Sequence, residues 1–200
     1  MDIVAVPVKP FGLAKARLAA AFSGAERAAI GRQTATNTVK TILEAIGAVS
    51  VVTADADVAR WANDSGARVI DEDIDLRPGL SGAAAQVATA AAGGRWMIVH
   101  ADLPLLSRAD IETAWTAVGT DRIVLAPSHD GGTSVVGGSG DPIDFSYGPG
   151  SFHRHLAAAR RRPVQILIRR GFLLDLDDPT DFRAAARHPR GSWLLSAATQ

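Results

Sequence analysis

Short β-branched runs alternate with alanine-rich stretches of helical character along nearly all of the 200 residues. That alternation restricts the fold more than any other feature. Strands are predicted over residues 3–8, 49–53, 68–70, 96–100, 123–126, 133–136, 164–168 and 172–176. Helix starts lie between them. Ser23 and Glu26 form a possible capping box for a helix running to Ile46. Ser81 is placed to cap a helix that stops at Gly93-Gly94. Ser107 to Asp110 resembles another start, and Asp178-Pro179 supplies the cap and first-turn proline of a last helix. Strand–helix alternation implies a mainly parallel sheet with helices on both faces. Residues 127–150 read strand–turn–strand instead, so some antiparallel pairing is expected there. The fold class is therefore single-domain α/β with a mixed, mainly parallel sheet. The domain is expected over residues 1–188, with 189–200 as a peripheral tail.

A chain this long, 47% hydrophobic, supports one sizeable core. Its 21 basic and 21 acidic residues cancel, so neither nucleic acid nor an anionic membrane surface is an expected partner. With no cysteine, disulfides, thiolate catalysis and cysteine metal sites are excluded. The first residues lack a basic stretch before an apolar run, and no apolar run approaches the ~20 residues of a membrane span. A cytoplasmic location is expected. Exposed apolar edges are compatible with a homodimer.

Ligands of open α/β sheets bind at the carboxyl ends of the strands, and the sequence places four polar segments there. The first, Val8 to Leu18, holds Lys9, Lys15 and Arg17. Lysine is scarce in this arginine-rich chain, yet two of its three lysines, Lys9, Lys15 and Lys40, fall here. Their charge suits a triphosphate; the alternative is a solvated loop entering a helix. The second, His100 to Leu106, puts Asp102 directly after a strand and before a proline-fixed turn, where a carboxylate holds magnesium or merely serves the turn. The third, Ala126 to Ser134, contains Asp130-Gly131-Gly132-Thr133, either a ligand-binding backbone or an ordinary hairpin turn. The fourth, Phe145 to Phe152, has Gly148-Pro149-Gly150-Ser151 at a helix start. It is an anion site built from free amides, or Ser151 simply caps its own helix.

Asp175 and Asp177 fall on one face of an extended segment. Adjacent carboxylates repel each other unless a cation or hydrogen bonds compensate, which favours a metal role for at least one of them, with Asp102 as a candidate third ligand; the alternative is a capped helix start, which already accounts for Asp178. His153 and His155 flank Arg154 on a predicted helix and point in different directions. They read as surface or substrate-contact residues rather than a zinc pair.

Taken in order, these segments resemble the 2-phospho-L-lactate guanylyltransferases of coenzyme F-420 biosynthesis and their phosphoenolpyruvate and 3-phospho-D-glycerate relatives. The matching pieces are Pro7-Val8-Lys9-Pro10, Ala14-Lys15-Ala16-Arg17-Leu18 and His100-Ala101-Asp102-Leu103-Pro104-Leu105. Ala126-Pro127-Ser128 with Asp130-Gly131-Gly132-Thr133, Gly148-Pro149-Gly150-Ser151-Phe152 with His155-Leu156, and Asp175-Leu176-Asp177 complete the set. The resemblance implies a nucleotidyltransferase fold related to the GT-A glycosyltransferases, GTP as donor and Mg2+ as cofactor. By similarity Asp102, Asp175 and Asp177 hold the metal, and Thr133, Gly148 and Ser151 bind the phosphorylated acid. Lys9, Lys15 and Arg17, with Ser81, bind the nucleotide, and Lys9, Lys15 and Asp102 carry catalysis. Ser81 and Ser134 stand where the family often has Asn.

The expected reaction is attack of the acceptor's phosphate oxygen on the α-phosphorus of GTP, with release of pyrophosphate. An ionised phosphate needs no strong general base, which fits a chain with no evident base–nucleophile pair. Among the acids, phosphoenolpyruvate is placed first because a bacterial source is expected from the arginine- and alanine-rich composition. The competing readings are a transferase of related fold with another base or acceptor, and a non-catalytic nucleotide-binding domain.

Overall fold

The computed structural model describes residues 1–13, 15–75, 79–119 and 121–198. Ala14 of the lysine segment and the last two residues of the expected tail lie outside them. In chain order the elements are β1 (Ile3–Pro7), α1 (Gly24–Ile46), β2 (Ser50–Thr53), α2 (Ala56–Asp64), β3 (Arg68–Asp71), α3 (Leu80–Ala90), β4 (Arg95–Val99) and α4 (Arg108–Ala117). They continue with β5 (Ile123–Pro127), β6 (Thr133–Ser139), α5 (Ser151–Ala158), β7 (Val164–Ile166), α6 (Arg170–Leu173), α7 (Pro179–Ala186) and α8 (Leu194–Ala197). No helix among these residues is long and apolar enough to cross a membrane.

The seven strands form one sheet in the order β3-β2-β1-β4-β6-β5-β7. All neighbouring pairs are parallel except those of β6, which runs antiparallel to both β4 and β5. The mixed sheet expected from residues 127–150 is thus produced by one reversed strand. Its reversal has a consequence for the site. The parallel strands deliver their C-terminal ends to one edge, and β6 delivers its N-terminal end, Thr133, to that same edge.

Strand alternation divides the core between the two faces. Val4, Val6, Met97 and Val99 pack under α1, α2 and α4. Ile3, Ala5, Trp96 and Ile98 pack under α3 and the α5 side. Burying a side chain such as Met97 or Ile98 completely contributes about 1.5–3 kcal/mol. Gly138 in β6 leaves room for the Trp96 indole, because a Cβ there would sit 2.7 Å from Trp96 Cζ2.

Helix entry follows the local signals in most places. The Ser23–Glu26 capping box is present, as are those of Ser107–Asp110 and Asp178–Asp181. Three expectations are corrected. Ser81 does not cap α3; Gly79 does, at φ 82 and ψ −172. Residues 172–176 form no strand: α6 occupies the first part, and the rest runs extended beside Asp102, with Leu176 N donating to Asp102 O at 3.0 Å. Residues 189–198, expected at the periphery, put Leu194 and Ala197 into the buried set. Leu194 packs with Leu18, Leu105, Leu176 and Phe182.

Candidate active site

The loop after β1 turns back on itself through two 3-10 segments, Phe11–Leu13 and Ala16–Ala20, with Lys15 between them in the left-handed region at φ 59. This turn aims Lys15 inward. Its Nζ lies 2.6 Å from Asp102 Oδ2 and 3.6 Å from Asp177 Oδ1. Arg17 reaches Asp177 Oδ2 at 3.4 Å. Lys9 has no ion-pair partner among the described residues. Lys9, Lys15 and Arg17 line a cleft of about 400 Å3 whose walls also include Glu72, Gly79, Leu80, His100, Asp102 and Asp177. The cleft lies where strand-end logic put it, and it brings together the three cations of the phosphate reading.

Below the cleft is a group of carboxylates. Asp130, Asp175 and Asp177 each offer an oxygen, and these oxygens lie within 4.8 Å of one another. Asp102 is not part of that triplet; its Oδ2 accepts from Lys15 Nζ. Burial, reinforced by the charges of Asp102, Asp130 and Asp177, pushes the Asp175 carboxyl up to about 7. Asp102 behaves oppositely. Burial raises it, but Lys15 and His100 outweigh that and hold it below the ordinary carboxylate range. Asp102 Oδ1 and Asp175 Oδ1 are buried without a hydrogen bond, as are His100 Nε2 and the Tyr147 hydroxyl. Asp175 Oδ1 has only an ion-pair neighbour, His129 Nδ1 at 3.3 Å, while His129 Nε2 lies 3.1 Å from Asp181. Buried carboxylate oxygens with nothing donating to them, on hard oxygen ligands, fit Mg2+ or a similar divalent cation.

Asp130 was not anticipated as a ligand. Its Asp-Gly-Gly sequence is indeed a hairpin turn between β5 and β6. The same turn folds the carboxylate back, with Oδ1 accepting from Gly132 N at 2.8 Å and from the Ser128 hydroxyl. A Cβ on Gly132 would meet Ser128 Oγ at 2.6 Å and Asp130 Oδ1 at 2.9 Å. The signal that finds Asp130 is the one that found Asp102: a carboxylate just past the C-terminal end of a strand.

The three residues expected to hold the acid gather at the start of α5. Thr133 Oγ1 and Ser151 Oγ are 3.2 Å apart, and both side chains are buried. Ser151 does not cap its own helix; the cap is Gly150 at φ 70. The free amides expected at that helix start are fewer than supposed, because Ser151 N donates to Gly148 O and Phe152 N to Gly131 O. Ser81 does not line the cleft. Its hydroxyl accepts from Tyr147 N at 3.0 Å and ties the 146–150 loop to α3. His153 is exposed as expected, whereas His155 is fully buried behind Thr133, against the surface reading.

This fold is that of the nucleotidyl and nucleotide-sugar transferases. A putative nucleotide-diphospho-sugar transferase from Desulfovibrio desulfuricans G20 superposes with a TM-score of 0.71 at 16% identity, over 100% of this chain and 97% of that one. Glucosyl-3-phosphoglycerate synthase from Mycobacterium tuberculosis, solved with Mn2+, uridine diphosphate and glucosyl-3-phosphoglycerate, gives 0.62 at 13% identity, over 98% and 78%. At the level of sequence, the family described as "Guanylyl transferase CofC like" matches residues 1–192, and the chain belongs to it. It is a nucleotidyltransferase. The phosphoenolpyruvate guanylyltransferase of Roseiflexus sp. (strain RS-1) is 33% identical, over 92% of this chain and 84% of that protein. The 3-phospho-D-glycerate guanylyltransferase of Phenylobacterium zucineum is 38% identical over 89% and 86%. The 2-phospho-L-lactate guanylyltransferase of Methanothermobacter thermautotrophicus is 28% identical over 86% and 77%.

Proposed function

We propose that this chain transfers GMP from GTP to a phosphorylated three-carbon acid, releasing pyrophosphate, in coenzyme F-420 biosynthesis. The observation that carries the reading is the meeting of Lys9, Lys15 and Arg17 in one cleft with the carboxylates of Asp102 and Asp177, beside Asp130 and Asp175. Paired cations suit the phosphates of the donor, and clustered hard oxygens suit a divalent metal. Phosphoenolpyruvate stands first among the acids, and the names of the relatives support all three.

In this reading the acceptor's phosphate oxygen attacks the α-phosphorus. A new phosphoanhydride bond forms, the bond to the β-phosphate bridge breaks, and pyrophosphate takes the electron pair. No proton need be removed from an ionised phosphate, so the protein's tasks are alignment and charge neutralisation. Lys9, Lys15 and Arg17 pair with the donor's phosphates. Thr133, Gly148 and Ser151 hold the acid. Asp175 and Asp177, with Asp130 beside them and Asp102 freed from Lys15, would hold Mg2+. Bound there, Mg2+ supplies charge stabilisation to the triphosphate and the reacting oxygens.

The test is pyrophosphate release with each of the four nucleoside triphosphates against phosphoenolpyruvate, 2-phospho-L-lactate and 3-phospho-D-glycerate. The expected result is turnover with GTP and a phosphorus spectrum showing a new phosphoanhydride. Turnover with another base, or nucleotide binding with no release under any pairing, removes the proposal.

A further inference from the structure

His155 lies one turn past Ser151 on α5 and is buried completely. Neither the phosphate contacts nor the carboxylates use it. Its two ring nitrogens have different partners. Ser146 N is 3.0 Å from Nε2, and Thr133 Oγ1 is 3.0 Å from Nδ1. A backbone N–H can only donate, so Nε2 is the unprotonated nitrogen. A neutral imidazole then carries its proton on Nδ1 and donates it to Thr133 Oγ1.

The proton count beyond that point is determinate. Thr133 and Ser151 own one hydroxyl proton each, and one of the two is used in the 3.2 Å contact between them. The second has no acceptor among the described residues. The opposite tautomer would draw the Thr133 proton toward the ring and the Ser151 proton toward Thr133, leaving none spare. We infer that His155 is a positioning residue whose tautomer leaves one hydroxyl proton of this pair uncommitted, so that Thr133 and Ser151 together present an O–H donor to a carboxylate or phosphate oxygen of the acid. The inference rests on the proposed acid-binding role of Thr133 and Ser151.

The ring itself is held firmly. Tyr147 packs edge-on at 4.7 Å between centroids and Phe145 at 6.2 Å. Burial, with Arg154 and His100 adding to it against Asp144, lowers its pKa to about 4, so the imidazole is neutral at physiological pH.

Two measurements test the inference. Long-range proton–nitrogen correlation spectra of protein labelled with nitrogen-15 histidine read the tautomer in the wild type, with the His155 signals assigned by their loss in His155→Asn. The proton is expected on Nδ1; a proton on Nε2 overturns the inference whatever the kinetics of the variants. Steady-state kinetics give the second. His155→Asn places an amide nitrogen near the Nδ1 position and is expected to keep the acid KM within about threefold. His155→Gln reaches toward Nε2, loses the donor to Thr133, and is expected to raise the acid KM about tenfold while the GTP KM stays put. Combining it with Thr133→Val should add nothing to Thr133→Val alone. Equal losses in the Asn and Gln variants, or an additive double variant, make His155 a packing residue. If Thr133→Val and Ser151→Ala leave the acid KM unchanged, it is the acid-site reading that fails, and the tautomer spectra, which need no acid, distinguish that from a failure of the His155 assignment.

Discussion

Lys15 Nζ sits 2.6 Å from Asp102 Oδ2, joining the loop after β1 to the end of β4 across 87 positions of sequence. The side chains are 8% and 24% exposed, so the pair is largely out of water. Without ligands, then, the site's best-placed cation neutralises one of its own carboxylates. Under the proposed function, substrate binding is an exchange of partners, in which lysine turns to phosphate and aspartate to metal.

That exchange gives Lys15→Met two opposite effects. Losing a phosphate contact should lower kcat/KM for GTP on the order of 100-fold. Losing the resident cation should tighten Mn2+ binding in the absence of nucleotide. Calorimetry with Mn2+ alone reads the second effect, and weaker Mn2+ binding would show that Lys15 does not compete for the carboxylates.

Asp102→Ala should abolish turnover while leaving the melting profile cooperative. Near-normal activity at limiting Mg2+ would take Asp102 out of the metal site. Asp130→Asn is the companion measurement, because it separates the observed carboxylate triplet from the set expected by similarity. A raised Mg2+ requirement is expected, and an unchanged one would make Asp130 a turn residue alone.

Above pH 7, where its carboxyl is ionised, Asp175→Asn removes one charge from a cluster of like charges. The metal-free variant should melt about 3 °C or more above the wild type, yet gain little from added Mg2+ and turn over poorly. Thermal scans with and without metal check this. Lower stability in the metal-free variant would mean that the carboxylate's contacts outweigh its repulsion.

Ser151→Ala should raise the acid KM several-fold more than the GTP KM. Equal changes in the two would assign the hydroxyl to local structure instead of the acid.

Stability should also carry a signature of His155. Its pKa falls from 6.5 to about 4 in the fold. Between those values the unfolded chain binds a proton that the folded protein refuses, so the contribution is complete above 6.5 and is lost as pH falls. The loss is at most roughly 3 kcal/mol. Asp175 works in the opposite sense. Its folded carboxyl takes a proton below about 7 and the unfolded one only near 3.8, so falling pH relieves the cluster. Urea titrations at pH 7.5 and 5 in an Asp175→Asn background remove the opposing carboxyl. The difference made there by His155→Asn separates this histidine from His100, which burial also lowers, and from His129, which against burial is raised by Asp181. His155→Asn in that background should make the dependence shallower, and an unchanged slope would show that other groups supply it.

Much of this architecture was legible in the chain because its signals are local. Periodicity and capping residues such as Ser23 and Asp178 mark elements without reference to the rest of the molecule. Strand-end position found Lys9, Lys15, Arg17 and Asp102. What escaped depends on neighbours distant in sequence. Ser81 has a good capping side chain, but Gly79 takes the turn and Ser81 meets Tyr147 instead. The apolar residues 172–176 look like a strand, yet no open ladder edge receives them, and Leu176 packs beside Leu105 and Phe182. Asp130 was hidden by its own turn chemistry, since Asp-Gly explains a hairpin without a metal. The burial of His155 depends on Phe145, Tyr147 and Thr133 closing over it.

The reversed strand β6 has a final consequence, for folding. The functional edge collects residues from 9 to 177, and the hairpin carrying Asp130 and Thr133 joins it only when β6 has slotted between β4 and β5. No early fragment of the chain possesses the site, and such non-local pairing is slow to form. Catalytic competence should therefore appear late in refolding, with the last closure of the sheet. For the same reason, ligand binding should slow hydrogen exchange of the central strands, well beyond the loops the ligand touches.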